Sequence, residues 1–202
     1  MKKQRIKKKQ IQNLWSLNAN EVSVASWLKN ELGKDYEVFF PVNFRFPYVD
    51  LIVFNSKNKK TTTVQVKSSQ SYLVKDEPED YWVSGHDKIQ LEKIDPDRVD
   101  FFIFTCYYPK TSEKDHKSRN ITKYFVVFQT SKLLDYVWKF KDSKTIKSKR
   151  IKFSFYVYPP NDKGKLYEDW GLKEEYSRND YEKLKPLSNV MDNFDKIKEM
   201  LQ

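Results

Sequence analysis

Asp50, Gln65 and Lys67 are the residues of this sequence whose types and spacing could do chemistry. Asp50 opens the apolar run Leu51-Ile52-Val53-Phe54, and fifteen residues later Gln65 stands in Val64-Gln65-Val66-Lys67. Alternate side chains of a strand share a face, so Gln65 and Lys67 point the same way. Antiparallel return of the second run along the first brings Asp50 beside them. A carboxylate, an amide oxygen and an ammonium at one strand end suit Mg²⁺, a hard cation that takes oxygen ligands and keeps several waters, with Mn²⁺ as its substitute. Asp50 is then the anionic ligand, Gln65 offers its amide oxygen and Val66 its carbonyl. Lys67 orients or deprotonates an attacking water and steadies charge developing on a phosphate. The plain alternative is a hairpin edge that is polar because water wets it. The apolar runs beside these residues argue against that coincidence.

Such a site needs a hairpin and a support for it. Tyr36 to Pro41, Tyr48 to Phe54 and Thr61 to Lys67 are short, rich in β-branched and aromatic residues, and separated by turn formers such as Asn55, Ser56 and Asn58. They predict three strands, the last two a hairpin. Ahead of them Leu14, Leu17, Val24, Ala25, Leu28 and Leu32 follow helical spacing up to Gly33, which predicts the first helix. After the hairpin a short strand is expected at Tyr81 to Val83 and a helix over His86 to Ile94, stopped by Pro96. Phe101 to Tyr108 and Lys123 to Gln129 have the continuous apolar character of central strands covered on both faces. Thr130 or Ser131 could cap a helix carrying Leu133, Leu134, Val137 and Trp138. A strand at Ile151 to Tyr158 and a closing helix over Val190 to Leu201 complete the expectation.

Pro47-Tyr48-Val49-Asp50 followed by Gln65-Val66-Lys67 resembles the signature of the PD-(D/E)XK nuclease superfamily, the restriction-endonuclease-like and Holliday-junction-resolvase-like enzymes, in its QVK form. The resemblance covers about Asn18 to Gln129. It implies an α/β fold with an αβββαβ core, in which a mixed central sheet is flanked by helices, plus C-terminal additions. It implies metal-dependent endonuclease hydrolysis of DNA phosphodiester bonds, with Asp50, Gln65 and Lys67 catalytic. It also implies a Glu on the first helix facing the metal, and Glu21 is the match, on the stripe of Ala25, Leu28 and Leu32. Asn18-Ala19-Asn20-Glu21 is equally a capping box, in which that Glu would bond the first helical amides. Two departures stand out: Pro47 is three residues from Asp50, and Gln65 removes one negative charge from the metal site. A catalytically inactive nucleic-acid-binding module on the same fold is the alternative, and an interaction protein with a basic surface is a third reading.

Composition narrows the field further. In 202 residues, 38 Lys and Arg face 28 Asp and Glu, a net charge of +10 that suits a polyanionic partner, DNA before RNA, or a merely solvated lysine surface. Lys7, Lys8 and Lys9 belong to a basic arm over 1–12 that could track phosphates, and Lys147, Lys149 and Arg150 lie in a second basic stretch interleaved with aromatics. Ser68, Ser69 and Gln70 could touch substrate, although loops after strands are Ser-rich for turn reasons as well. The core is expected over 13–158, with an extension over 159–202 packing on it. The 4 glycines compose neither a phosphate loop nor a nucleophile elbow. A single cysteine, Cys106, excludes an internal disulfide and reads as a buried thiol, while His86 and His116 read as surface histidines without a zinc partner. No apolar leader or stretch of ~20 apolar residues is present, so a soluble, cytoplasmic protein without membrane contact is expected, with a homodimer suited to cutting two strands.

Overall fold

The computed structural model describes residues 18–41, 48–74, 81–90, 93–109, 121–139, 152–158, 167–169, 185–186 and 194–202. The basic arm over 1–12 and Lys147, Lys149, Arg150 and His116 lie outside them. Helix α1 (Ala19–Leu32) starts at Asn18, whose side chain accepts the Asn20 amide at 3.0 Å, satisfying one of the unpaired N-terminal donors. Val24, Ala25, Leu28 and Leu32 form its buried stripe, and each of the three larger side chains contributes roughly 1.5–3 kcal/mol by leaving water. Gly33 ends the helix at φ 89°, a conformation that side chains resist.

The strands are β1 (Tyr36–Phe39), β2 (Leu51–Asn55), β3 (Thr61–Ser68), β4 (Gln70–Val74), β5 (Tyr81–Gln90), β6 (Phe101–Pro109) and β7 (Ile121–Gln129). Helix α2 (Thr130–Lys139), strands β8 (Lys152–Tyr158), β9 (Tyr167–Asp169) and β10 (Lys185–Pro186), and helix α3 (Asp195–Leu201) follow. Two five-stranded sheets result, in the orders β1-β2-β3-β6-β7 and β10-β9-β8-β5-β4. The first is mixed. β3 and β6 run parallel, with Val64 opposite Phe101 and Ser68 opposite Thr105, and its other neighbours are antiparallel. The expected hairpin is β2 and β3, with Leu51 opposite Val64.

One face of this sheet, through Val64, Val66, Phe101, Ile103, Phe125 and Val127, packs on α1 and on Phe194, Ile197 and Leu201 of the C-terminal segment. The other face, through Phe102, Phe104, Cys106, Tyr108, Val126 and Phe128, packs on Ile89 and Val157 of the second sheet and Leu133 of α2. The Tyr108 hydroxyl donates to the Val157 carbonyl at 2.8 Å and ties these layers together. β6 is therefore buried on both faces, which explains its unbroken apolar sequence. β7 differs from the expectation of a central strand. It is the outer strand, with Ile121 62% exposed and burial concentrated in Phe125 to Phe128.

The helix expected over His86 to Ile94 is not there, because β5 extends from Tyr81 to Gln90 between β4 and β8. Its register moves from His86 opposite Phe155 to Ile89 opposite Phe153, so β5 carries one extra residue, a bulge. A bulge resets the inside–outside alternation. His86 and Ile89, three apart, are consequently both buried, a spacing that imitates one face of a helix. The αβββ order is present in α1 to β3, and β6 supplies the parallel strand, but the connection between β3 and β6 runs through strands of the second sheet. α2 begins at Thr130, whose amide donates to Asp100 O at 2.8 Å while its hydroxyl has no partner among the described residues, so that hydroxyl is not the cap. Among the described residues no helix is long and apolar enough to cross a membrane.

Candidate active site

Asp50 stands one residue before β2, and its amide donates to Val64 O at 2.9 Å. The β2–β3 ladder ends there while β3 continues to Ser68. Beyond that point the Val66 amide has no β2 carbonyl to meet, and Asp50 Oδ2 accepts it at 2.7 Å. The open sheet edge lets side chains from both faces meet. A cleft of about 340 Å³ lies at this edge, lined by Glu21, Tyr48, Asp50, Gln65, Val66, Lys67 and Lys93. Glu21, Asp50, Gln65, Val66 and Lys67, singled out by type and spacing, therefore share one cavity. The contact made at Val66 is through its amide.

The charges in this cleft are held uncomfortably. Burial pushes the Asp50 carboxyl above the usual carboxylate range, against the Val66 amide and the Lys67 ammonium, which favour the ionised form. Burial raises Glu21 as well, and the nearby Asp50 charge adds to it, while the Asn18 amide and Lys67 act the other way. Asn18 caps the helix, and Glu21, in the first turn, is a wall of the cleft. Burial lowers Lys67 below the ordinary lysine range, Asp50 opposes this, and the neighbouring Lys93 charge adds to it. The Lys67 ammonium lies over the Phe102 ring, with Nζ 5.9 Å from its centroid.

Gln65 is the most telling group. It is 4% exposed, and its Oε1 is buried without a hydrogen-bond partner among the described residues. An amide oxygen left so costs about 1–3 kcal/mol. Two half-buried carboxylates beside an unpaired amide oxygen form an all-oxygen donor set of the kind Mg²⁺ or Mn²⁺ takes. Among the described residues no group of three His, Cys, Asp or Glu side chains converges, so such a site would have two anionic ligands and one neutral one.

Other expectations fall elsewhere. Ser68 is exposed but turns to α1, where Asn20 Nδ2 donates to its Oγ at 2.6 Å. The Ser69 hydroxyl is buried without a partner among the described residues. Gln70 opens β4, and neither serine lines the cleft. His86 is not a surface histidine. It is 2% exposed, with Nε2 3.8 Å from the buried Cys106 sulfur and its ring edge-on to Phe104. A hollow of about 430 Å³ along α1 and β1 has its charges satisfied within itself, Lys29 pairing with Glu37 at 2.7 Å.

Two lining residues escaped the sequence reading. Tyr48 stands two before Asp50, so the alternation of an extended segment could have flagged it. Its ring lies under the Arg98 guanidinium, 4.8 Å from the centroid, and Arg98 pairs with Asp95 at 2.9 Å. Lys93 carried no signal among 38 basic residues. No protein-family model, curated protein or solved structure matches the chain.

Proposed function

We propose that the chain is a metal-dependent endonuclease of the PD-(D/E)XK type that hydrolyses DNA phosphodiester bonds in the Glu21–Asp50–Gln65–Lys67 cleft. The observation that carries this reading is the meeting of Asp50, Glu21 and the buried, unpartnered Gln65 oxygen around one cavity. The QVK resemblance and the αβββ order with a parallel fourth strand support it.

Asp50, Gln65 and Glu21 would hold the cation, Asp50 through Oδ1, to which no described group donates. Bound there, Mg²⁺ or Mn²⁺ would supply Lewis-acid polarisation of the scissile phosphate. The chain's own residues do the rest. The Val66 amide fixes the Asp50 carboxylate at 2.7 Å, so the anionic ligand is set before substrate arrives. Lys67, whose charged form burial disfavours, would orient the attacking water or take its proton. As the ammonium it pairs with phosphate oxygens. Hydrolysis adds that water oxygen to phosphorus and releases the ester oxygen as an alcohol. Lys93, exposed at the mouth, adds a cation for the approaching backbone.

The test is cleavage of supercoiled plasmid by wild type, Lys67→Ala and Asp50→Ala, each with Mg²⁺, Mn²⁺ or EDTA. Nicking is expected only with metal, and each substitution should lower its rate by about 10²–10⁴-fold. Binding of DNA without cleavage in any metal would instead identify the inactive module, which the neutral Gln65 favours. Nicking unchanged in Lys67→Ala would place the chemistry elsewhere.

A further inference from the structure

A second polar cluster adjoins the cleft across α1. Tyr107 on β6 and Lys123 on β7 are cross-strand partners, on the sheet face that α1 covers. Asn20 and Ser23, three apart on α1, lie over them. The Tyr107 hydroxyl donates to Asn20 Oδ1, Asn20 Nδ2 donates to Ser68 Oγ, and Lys123 Nζ donates to Ser23 Oγ. Asn20 precedes the cleft residue Glu21, and Ser68 follows the cleft residue Lys67.

Two features of this cluster call for an anion. Lys123 is half-buried, its Nζ 4.8 Å from the Phe125 centroid and 5.9 Å from that of Tyr107. Among the described residues no carboxylate pairs with it. Charges taken from water are ordinarily paired. In addition, Ser23 and Ser68 are used only as acceptors. Each hydroxyl keeps its own proton to give, and among the described residues neither has an acceptor for it. One ammonium with two hydroxyls and an amide is the mixed donor set that typically holds a nucleic-acid phosphate.

We propose that Lys123, Ser23, Asn20 and Ser68 form a second phosphate subsite, which holds a backbone phosphate of the strand whose scissile phosphate occupies the cleft. This rests on the nuclease reading of that cleft. The subsite positions the strand and takes no part in bond breaking.

The experiment titrates a short fluorescein-labelled DNA duplex with the full chain in EDTA, which suppresses cleavage, over a series of salt concentrations. It compares wild type, Lys123→Met, Lys123→Arg, Ser23→Ala and Lys59→Met. Lys123→Met keeps an apolar stem over the two rings and should bind about five- to tenfold more weakly. Its plot of log affinity against log salt should be shallower by about 0.9. Lys123→Arg should restore the wild-type slope, and Ser23→Ala should weaken binding without changing it. Lys59→Met, on the distant hairpin turn, should bind as wild type does. With Mg²⁺ and saturating plasmid, kcat of Lys123→Met should equal that of wild type while KM rises. A wild-type slope in Lys123→Met, or an equal change in Lys59→Met, overturns the subsite and leaves the cleft reading intact if plasmid is still cut. A wild type that neither binds nor cuts DNA overturns both.

Discussion

The two ends of β3 are both polar and partly buried, yet they behave in opposite ways. At its start, Asp100 Oδ2 accepts from the Thr62 hydroxyl at 3.0 Å, the Thr63 amide at 2.8 Å and the Thr63 hydroxyl at 2.9 Å. The Asp100 amide returns a bond to the Thr63 oxygen at 3.0 Å. Nearby, Asn55 and Asn58 donate to Leu201 O at the end of α3. At the far end, Gln65 has an orphan oxygen, and Asp50 and Lys67 both have pKa values displaced against their charged forms. The satisfied end holds the sheet, α3 and the hairpin together. The unsatisfied end costs stability, and buried polar groups of that kind are retained for a ligand or a reaction.

This contrast is sharpest if the two ends separate stability from activity. Asp100→Ala removes the shared acceptor of three donors and should cost about 2–4 kcal/mol, a fall in Tm of roughly 5–15 °C. Cleavage by this variant at a temperature well below its Tm should stay within about twofold of wild type, since Asp100 does not line the cleft. Thermal melting followed by a plasmid assay checks both halves. Loss of cleavage at unchanged Tm would break the division between the ends.

Gln65→Glu should act only at the other end. A third carboxylate raises the charge of the donor set, and the Mg²⁺ concentration giving half-maximal cleavage should fall by about tenfold. The metal-free protein should at the same time melt lower, because three buried carboxylates repel one another. An unchanged metal requirement would remove Gln65 from the ligand set.

The contrast also explains how much was legible in the sequence. Asp50, Gln65 and Lys67 were readable because strand alternation and antiparallel return are local rules, and both hold in β2 and β3. Glu21 was readable through helical spacing from Ala25 and Leu28. The crossover was not, because the bulge at His86 to Ile89 breaks the period on which strand recognition depends. Lys93, Lys123 and Tyr107 reach their places through β5, β6 and β7, whose pairing partners are distant in the chain. Nothing local marks a lysine that will meet Ser23, 100 residues earlier. His86 looked like a surface residue for the same reason, its burial being set by the layer beneath Phe104.

The smallest expected effect is the most direct test of the proposal that the cleft holds a divalent cation: the Tm of wild type and Asp50→Asn, each with EDTA and with Mn²⁺, across pH. Asp50 has a raised folded-state pKa. Without metal its contribution is therefore favourable below the ordinary carboxylate value and is lost as pH rises through the raised one. Lys67 has a lowered one, so its contribution is lost as pH falls from above the ordinary lysine value. Near neutral pH both charges cost stability. Asn at position 50 can still accept the Val66 amide, so in EDTA at neutral pH Asp50→Asn should melt on the order of a few degrees above wild type, with the difference vanishing in acid. Mn²⁺ should reverse the order by raising the Tm of wild type alone. A variant that melts lower than wild type in EDTA, or equal stabilisation of both proteins by Mn²⁺, would contradict the account.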